Sequence, residues 1–317
     1  MLPKMIIKRV MTDFDFPVSI YDDPIFSYQV DLYKLRYGIN FAIGMMEQEL
    51  IRLGSPENYF EFESSIRNKI IEKVRSKEGY RKFIETDLHK NESKKLKFEE
   101  IKSLYTPEND NKLFVSFDLV KANFQVFNHF DPEIFDNNTN WASYVLTHTK
   151  DSFYVGAAKR FRQVIFGNLS PNRQQSYQRY LISKLIGKAK EISFGELCFT
   201  SSDEFVLKIE DRTNLQEKLE EINAFSKSER LELRSSVFKL HQLKPFSFYV
   251  KEKETDSVID KIDIKCVPDS FFSQAFKRAY ELYAPYFPVI SREIVKNDLA
   301  FYYEKRLAFF DKPLEFS

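Results

Sequence analysis

Along the chain the apolar residues switch between strand-like runs and helical spacing, and that switching outlines the expected fold. Leu113-Phe114-Val115-Ser116-Phe117 is a short apolar run closed by Asp118 and predicts a strand over 112–118. Two further runs, 193–200 and 205–210, flank the polar turn Ser201-Ser202-Asp203-Glu204, the pattern of a β-hairpin. Between strand and hairpin, Asp131-Pro132 and Asp136-Asn137-Asn138 mark turns, and helical stretches are expected over 139–168 and 171–190. After the hairpin the spacing predicts helices over 214–226 and 227–241. Strands over 246–252 and 257–266 follow, separated by a turn at Thr255-Asp256.

The flanks are simpler. Residues 1–27, punctuated by Pro3, Pro17 and Pro24, read as an extended arm or short strand. Tyr33, Tyr37, Phe41, Met45 and Leu50 recur at helical spacing and predict one amphipathic helix over 28–53, ended by Gly54-Ser55-Pro56. A helix over 58–78 and a broken, Lys/Glu-dense segment from Tyr80 to Leu104 follow. The tail, 269–310, reads as two helices broken by Pro285 and Pro288. The turn cluster Thr106 to Asn111 is the clearest boundary. It divides the chain into a mainly helical N-terminal region (1–106), an α+β core (107–267) and a helical C-terminal region (268–317).

Strand, helix, hairpin, helix, strand is the order of a split β-α-β (ferredoxin-like) core in an α+β protein, in which the first and third strands are neighbours. Asp118 and Asp203 then meet at one edge of the sheet. Each has an ordinary reading alone, Asp118 as a cap or strand end and Asp203 as a turn residue. Together they are two carboxylates that repel unless a divalent cation lies between them. Metals held in that way drive phosphoryl and nucleotidyl transfer.

Composition narrows the partners. The 317 residues are 43% hydrophobic and 30% charged, with a net charge of +1, so there is apolar material for a core and no global charge to attract nucleic acid. Locally the balance is different. Residues 151–190 hold eight basic side chains (Lys159, Arg160, Arg162, Arg173, Arg179, Lys184, Lys188 and Lys190) against Asp151 alone. Lys159, Arg162 and Phe166-Gly167 fall at i, i+3 and i+7, one face of a helix, and such cations suit a nucleoside triphosphate. Neither GxxxxGK[ST] nor GxGxxG occurs. Cys198 and Cys266 form neither a disulfide framework nor a zinc pattern and suit a reducing, cytoplasmic setting. No apolar run is long enough to span a membrane. The richness in Phe, Tyr, Lys, Ile and Asn is the bias of AT-rich coding, as in a phage, large virus or parasite.

Phe117-Asp118-Leu119-Val120-Lys121-Ala122-Asn123-Phe124 resembles the first palm motif of reverse-transcriptase-type polymerases, where an aspartate ends a strand and a small residue then an aromatic follow. Ser202-Asp203-Glu204 resembles the hairpin of the tRNA-His guanylyltransferase family, a palm that works in reverse polarity. The basic helix ending in Phe166-Gly167 is similar to the one with which family A polymerases grip the triphosphate. The resemblance covers about 115–210. It departs from the guanylyltransferases at Leu119, where they have glycine, and from reverse transcriptases at Glu204, where a second aspartate is usual. It implies Mg²⁺ or Mn²⁺ on Asp118 and Asp203, with Glu204 as an auxiliary catalytic group. It places Lys159 and Arg162 on the triphosphate, Phe166 on the base, and Asn123 or Phe124 at the sugar 2′ position. The implied partners are nucleoside triphosphates and an RNA or DNA primer or template. Two other readings stand beside it: a non-catalytic RNA- or protein-binding module, with Phe114, Phe199 and Phe248 as stacking rings, and a nucleotide cyclase, which shares the palm.

Overall fold

Among the described residues, five α-helices precede the sheet: α1 (Lys4–Asp13), α2 (Ile25–Lys34), α3 (Ile39–Leu53), α4 (Pro56–Ser76) and α5 (Glu78–Glu85). Strand β1 (Leu113–Leu119) is followed by α6 (Ala122–Phe130), α7 (Trp141–Thr149), α8 (Phe153–Ala157), α9 (Lys159–Gly167) and α10 (Pro171–Glu191). The hairpin β2 (Glu196–Thr200) and β3 (Glu204–Ile209), helix α11 (Leu215–Ser228) and strand β4 (Leu233–Lys244) come next. Then follow β5 (Phe248–Thr255), β6 (Val258–Lys265), α12 (Phe272–Leu282), and the short strands β7 (Phe301–Tyr303), β8 (Arg306–Ala308) and β9 (Glu315–Phe316). The computed structural model describes residues 2–18, 20–23, 25–86, 98–210, 212–255, 258–288, 301–303, 306–308 and 315–316.

The protein is mixed α+β, with an open antiparallel sheet in the order β2-β3-β1-β4-β5-β6 and β9 added alongside β4. β1 is hydrogen-bonded on both sides, antiparallel to β3 and to β4. Successive side chains on a strand point to opposite faces, and β1 uses both. Val115, Phe117 and Leu119 join the main core beneath the helices, where Phe117 stacks on Phe205 of β3 with ring centroids 4.9 Å apart. Phe114 belongs to a smaller cluster on the opposite face with Leu104, Val206, Phe238 and Tyr249, stacked on Phe238 at 5.4 Å. Asp118 is on that second face, two residues beyond Ser116. The main core is continuous from α1 to α12 and crosses residue 106 without interruption.

The chain leaves β1 through Lys121, whose φ is +54°, and turns directly into α6. Gln125 braces that turn. Its amide Nε2 donates to the carbonyls of Val120 and of Glu232 (2.8 Å for the latter), and its Oε1 accepts the Glu232 N–H at 2.8 Å. One buried side chain therefore ties the loop after Asp118 to the start of β4.

Several expected elements differ from the observed ones. The N-terminal arm is a helix, α1. Ile6, Val10 and Met11 bury along it, and Arg9 clamps Asp13 at 2.7 Å and Glu63 at 3.2 Å, while Tyr154 donates to Asp13 at 2.9 Å. The single helix over 28–53 is two helices, separated at residues 35–38. The helical stretch 139–168 is α7, α8 and α9, and α6, at 122–130, had no counterpart in the expectation. The helix expected over 227–241 is largely strand β4. Its start, Glu229 to Arg234, is rich in helix formers, but hydrogen bonding to β1 and β5 outweighs local preference. The segment before β1 follows the sheet edge, with the Ile101 N–H on Thr200 Oγ1 at 2.9 Å and the Ser103 N–H on the Cys198 carbonyl at 3.0 Å. In the tail, α12 is helical, but 301–303 and 306–308 pair as strands rather than helix. Residues 87–97 of the Lys/Glu-dense segment, Asp256 of the expected turn and residues 289–300 lie outside the described residues.

Replacing Gln125 with Met keeps its bulk and removes its hydrogen bonds, so the Glu232 N–H and the Val120 carbonyl lose their Gln125 partner while the Glu232 carbonyl keeps the Val120 N–H at 3.0 Å. Chemical denaturation should show a loss of about 1–3 kcal/mol. A loss within experimental error would show that the β1–α6 turn holds without the brace.

Candidate functional site

The hairpin between β2 and β3 is built on the Ser201 hydroxyl. Its oxygen accepts the N–H of Glu204 at 2.9 Å and of Asp203 at 3.3 Å, and its proton is directed at Asp203 Oδ1, 3.0 Å away. The Ser201 N–H donates to the Glu204 carbonyl at 2.7 Å and closes the turn. The Asp203 carbonyl accepts the N–H of Leu119 at 2.9 Å, so the turn is bonded to the residue after Asp118. Asp118 pairs across the sheet with Glu204 on β3 and with Arg234 on β4. The expected meeting of β1 with the hairpin is thus present, with Asp118, Asp203 and Glu204 gathered at one place.

Their charges are felt. Burial raises the pKa of the Asp118 carboxyl above its ordinary value; Arg234 opposes the rise, and Asp203 and Glu204 add to it. The compensating cations are imperfect. Arg234 Nη2 is 3.6 Å from Asp118 Oδ2 and largely exposed. Lys251 Nζ is 3.8 Å from Glu204 Oε1 and almost fully buried, over the ring of Phe238 at 4.6 Å and that of Tyr105 at 5.7 Å. Burial lowers the Lys251 pKa against the pull of Glu204. Among the described residues, no group of three or more His, Cys, Asp or Glu side chains is placed to hold a metal ion. The carboxylates repel one another without closing into a cage.

A second feature lies beside the turn. Arg162 of α9 is half-buried, burial lowers its pKa, and among the described residues it has no ion pair or side-chain hydrogen bond. It faces Lys121. Burial lowers the Lys121 pKa and Arg162 lowers it further, with Glu232 opposing. Two cations drawn together, offset only in part by Glu232 at Lys121, form a site that gains from an anion.

The other expected site residues divide. Asn123 accepts from Gln178 Nε2 at 2.5 Å and lines a groove that also reaches Ser202 of the hairpin. Phe124 is core, stacked on Phe135 at 4.8 Å. Lys159 is ion-paired with Asp15 at 2.5 Å rather than left for a triphosphate. Phe166, expected to stack on a base, is 1% exposed and enclosed by Phe127 at 5.9 Å and Trp141 at 5.2 Å. Its apolar area is worth more to the core than to a solvent-facing site. Much of the basic segment serves the protein itself. Arg173 caps the end of α5 through the Phe83 and Thr86 carbonyls, Lys184 pairs with Glu229, and Lys188 pairs with Glu191 and Glu221. Of the rings offered for RNA stacking, Phe114 and Phe248 are buried in the two cores, while Phe199 is partly buried beside the smaller one.

Sequence reasoning missed Lys121, Arg234 and Lys251. Lys121 is within the quoted motif and could have been weighed there. Arg234 and Lys251 reach the carboxylates only through the pairing of β4 and β5, which no local pattern reports. No protein-family model matches the chain, and comparison with curated proteins and with solved structures finds no match. No helix of the described residues is long and apolar enough to cross a membrane.

The raised Asp118 pKa fixes a sign. An acid whose folded pKa exceeds its unfolded value stabilises the fold when protonated, at low pH, and that contribution is lost as pH rises through the folded pKa. At neutral pH the ionised Asp118 therefore opposes folding. Without divalent cations, Asp118→Asn should raise the thermal midpoint at pH 7 and remove the difference at pH 3; the exposed contact to Arg234 that it sacrifices is weak. A lower midpoint at pH 7 would show that Arg234 more than compensates the repulsion.

Proposed function

We propose that this protein is a metal-dependent nucleotidyltransferase with a palm-type core, adding nucleotides to the 3′ end of RNA or DNA. The observation that carries the reading is the convergence of Asp118, Asp203 and Glu204 at the joined ends of β1 and β3, with the cation pair Arg162 and Lys121 at the loop that leaves β1. The order β2-β3-β1-β4, with every pairing antiparallel, supports a split β-α-β palm, in which helices cover one face and the carboxylates stand on the other.

The donor set fits Mg²⁺ or Mn²⁺. Mg²⁺ is usually bound by one or two carboxylates, its own waters and substrate phosphates, not by an all-protein cage. Asp118 and Asp203 would be its ligands, and a bound cation removes the repulsion recorded in the Asp118 pKa. When bound, the metal supplies the charge that favours the attacking alkoxide and stabilises the departing pyrophosphate. The remaining work belongs to the chain. Arg162 and Lys121 neutralise the triphosphate through charge-assisted hydrogen bonds. Lys251 holds Glu204 beside the two ligands, as an auxiliary carboxylate. The 3′-hydroxyl oxygen bonds to the α-phosphorus as the bond to pyrophosphate breaks, and the hydroxyl proton leaves to water.

With Mn²⁺, a labelled RNA or DNA primer and mixed triphosphates, primer extension or pyrophosphate release is expected. Asp203→Ala should abolish it with the fold intact by circular dichroism, since a turn carboxylate adds little to the core. Glu204→Ala should cost about 10–100-fold, as expected of a group that acts around the ligands. Arg162→Ala should weaken triphosphate binding in calorimetry while the protein stays folded by circular dichroism. A cyclic nucleotide by mass spectrometry would convert the reading to a cyclase. RNA binding with no nucleotide product under any primer, template or metal would make the protein a binding module.

A further inference from the structure

The groove bordering the hairpin is lined mainly by neutral polar side chains, with Phe166 and Pro171 contributing apolar wall. Asn123 of α6, Gln163 of α9, Asn172, Gln175 and Gln178 of α10, and Ser202 of the hairpin turn surround a cavity of ≈ 350 Å³. Among the described residues, no Asp, Glu, Lys or Arg lines it. Gln163, Asn172 and Gln175 are exposed, and among the described residues their side-chain amides make no hydrogen bond. Gln178 is buried and fixes Asn123.

The chemistry of this lining selects its ligand. Phosphate calls for cations, and here the cations are next door, at Lys121 and Arg162, two residues before Asn123 and one before Gln163. Each amide offers one acceptor oxygen and two donor protons in a plane. That is the pairing with which Asn and Gln read the edge of a base. The volume lies within the range of small-ligand pockets. One end of the groove, Ser202, adjoins Asp203, whose carbonyl holds the Leu119 N–H beside Asp118. Asn123 and Gln163 of the lining follow the cations Lys121 and Arg162 in the chain, so the groove adjoins both charged features.

We propose that this groove binds the nucleobase of the incoming nucleotide, so that side chains of this protein, and not only a template strand, set which base is accepted. The proposal rests on the nucleotidyl-transfer reading and extends it to substrate choice.

Calorimetric titration of the full chain in Mg²⁺ with ATP, GTP, CTP, UTP and inorganic tripolyphosphate tests it. The four nucleotides should differ in affinity by about tenfold or more between best and worst, the discrimination one bidentate amide–base pair supplies. Gln163→Ala and Gln175→Ala should collapse that spread and leave tripolyphosphate affinity unchanged. Arg162→Ala should weaken all five ligands and preserve the ranking. Equal affinities for the four nucleotides, or a ranking untouched by both glutamine variants, would overturn the base-reading groove; nucleotidyl transfer would survive if tripolyphosphate still bound and still required Arg162. Absence of binding by all five ligands would overturn both.

Discussion

The arrangement depends on carboxylate crowding at the end of β1. Asp118 is held opposite Glu204 by the backbone register of β1 with β3, and Asp203 is held beside it by the Leu119 N–H. The backbone of all three is thereby held close together. The sheet therefore fixes a cost at one spot, and the neighbouring cations reduce it only partly. Arg234 is at 3.6 Å and wet, where ion pairs are weak. Lys251 is at 3.8 Å and dry, where its own desolvation works against it. A fold selected only for stability would not keep that geometry. Burial and neighbouring carboxylates together raise the Asp118 pKa, which marks the position as a candidate functional site.

The framework around the spot is rigid for ordinary reasons. One face of β1 is locked by Phe117 against Phe205 and the overlying helices, the other by Phe114 against Phe238. The exit turn is locked by Gln125. Both carboxylate-bearing segments are thus anchored within two residues of the chemistry, which keeps a site preorganised.

What could be read from the sequence was what local chemistry determines. The run ending at Asp118 and the Ser-Ser-Asp-Glu turn were legible because each is a short segment whose composition admits one structure, and their adjacency followed from element order. β4 was not legible. Glu229 to Arg234 favours helix locally, and only pairing with β1 and β5 makes the region a strand, so Arg234 stayed hidden with it. On α9 the spacing of Lys159, Arg162 and Phe166 put three residues on one face without saying how deep each lies. Phe161 and Ile165 draw Phe166 into the core, Asp15 takes Lys159, and Arg162 alone is left facing Lys121. The amide groove is assembled from α6, α9, α10 and the hairpin, and no single segment carries its pattern.

The central claim is that the Asp118 carboxylate is poised for a divalent cation. Carbon-13 NMR titration of the Asp118 side-chain carboxyl, in metal-free protein and again with saturating Mg²⁺, measures this directly. The account predicts a pKa above the ordinary aspartate value without metal and a marked fall when Mg²⁺ is added. An ordinary value that does not respond to Mg²⁺ would contradict it.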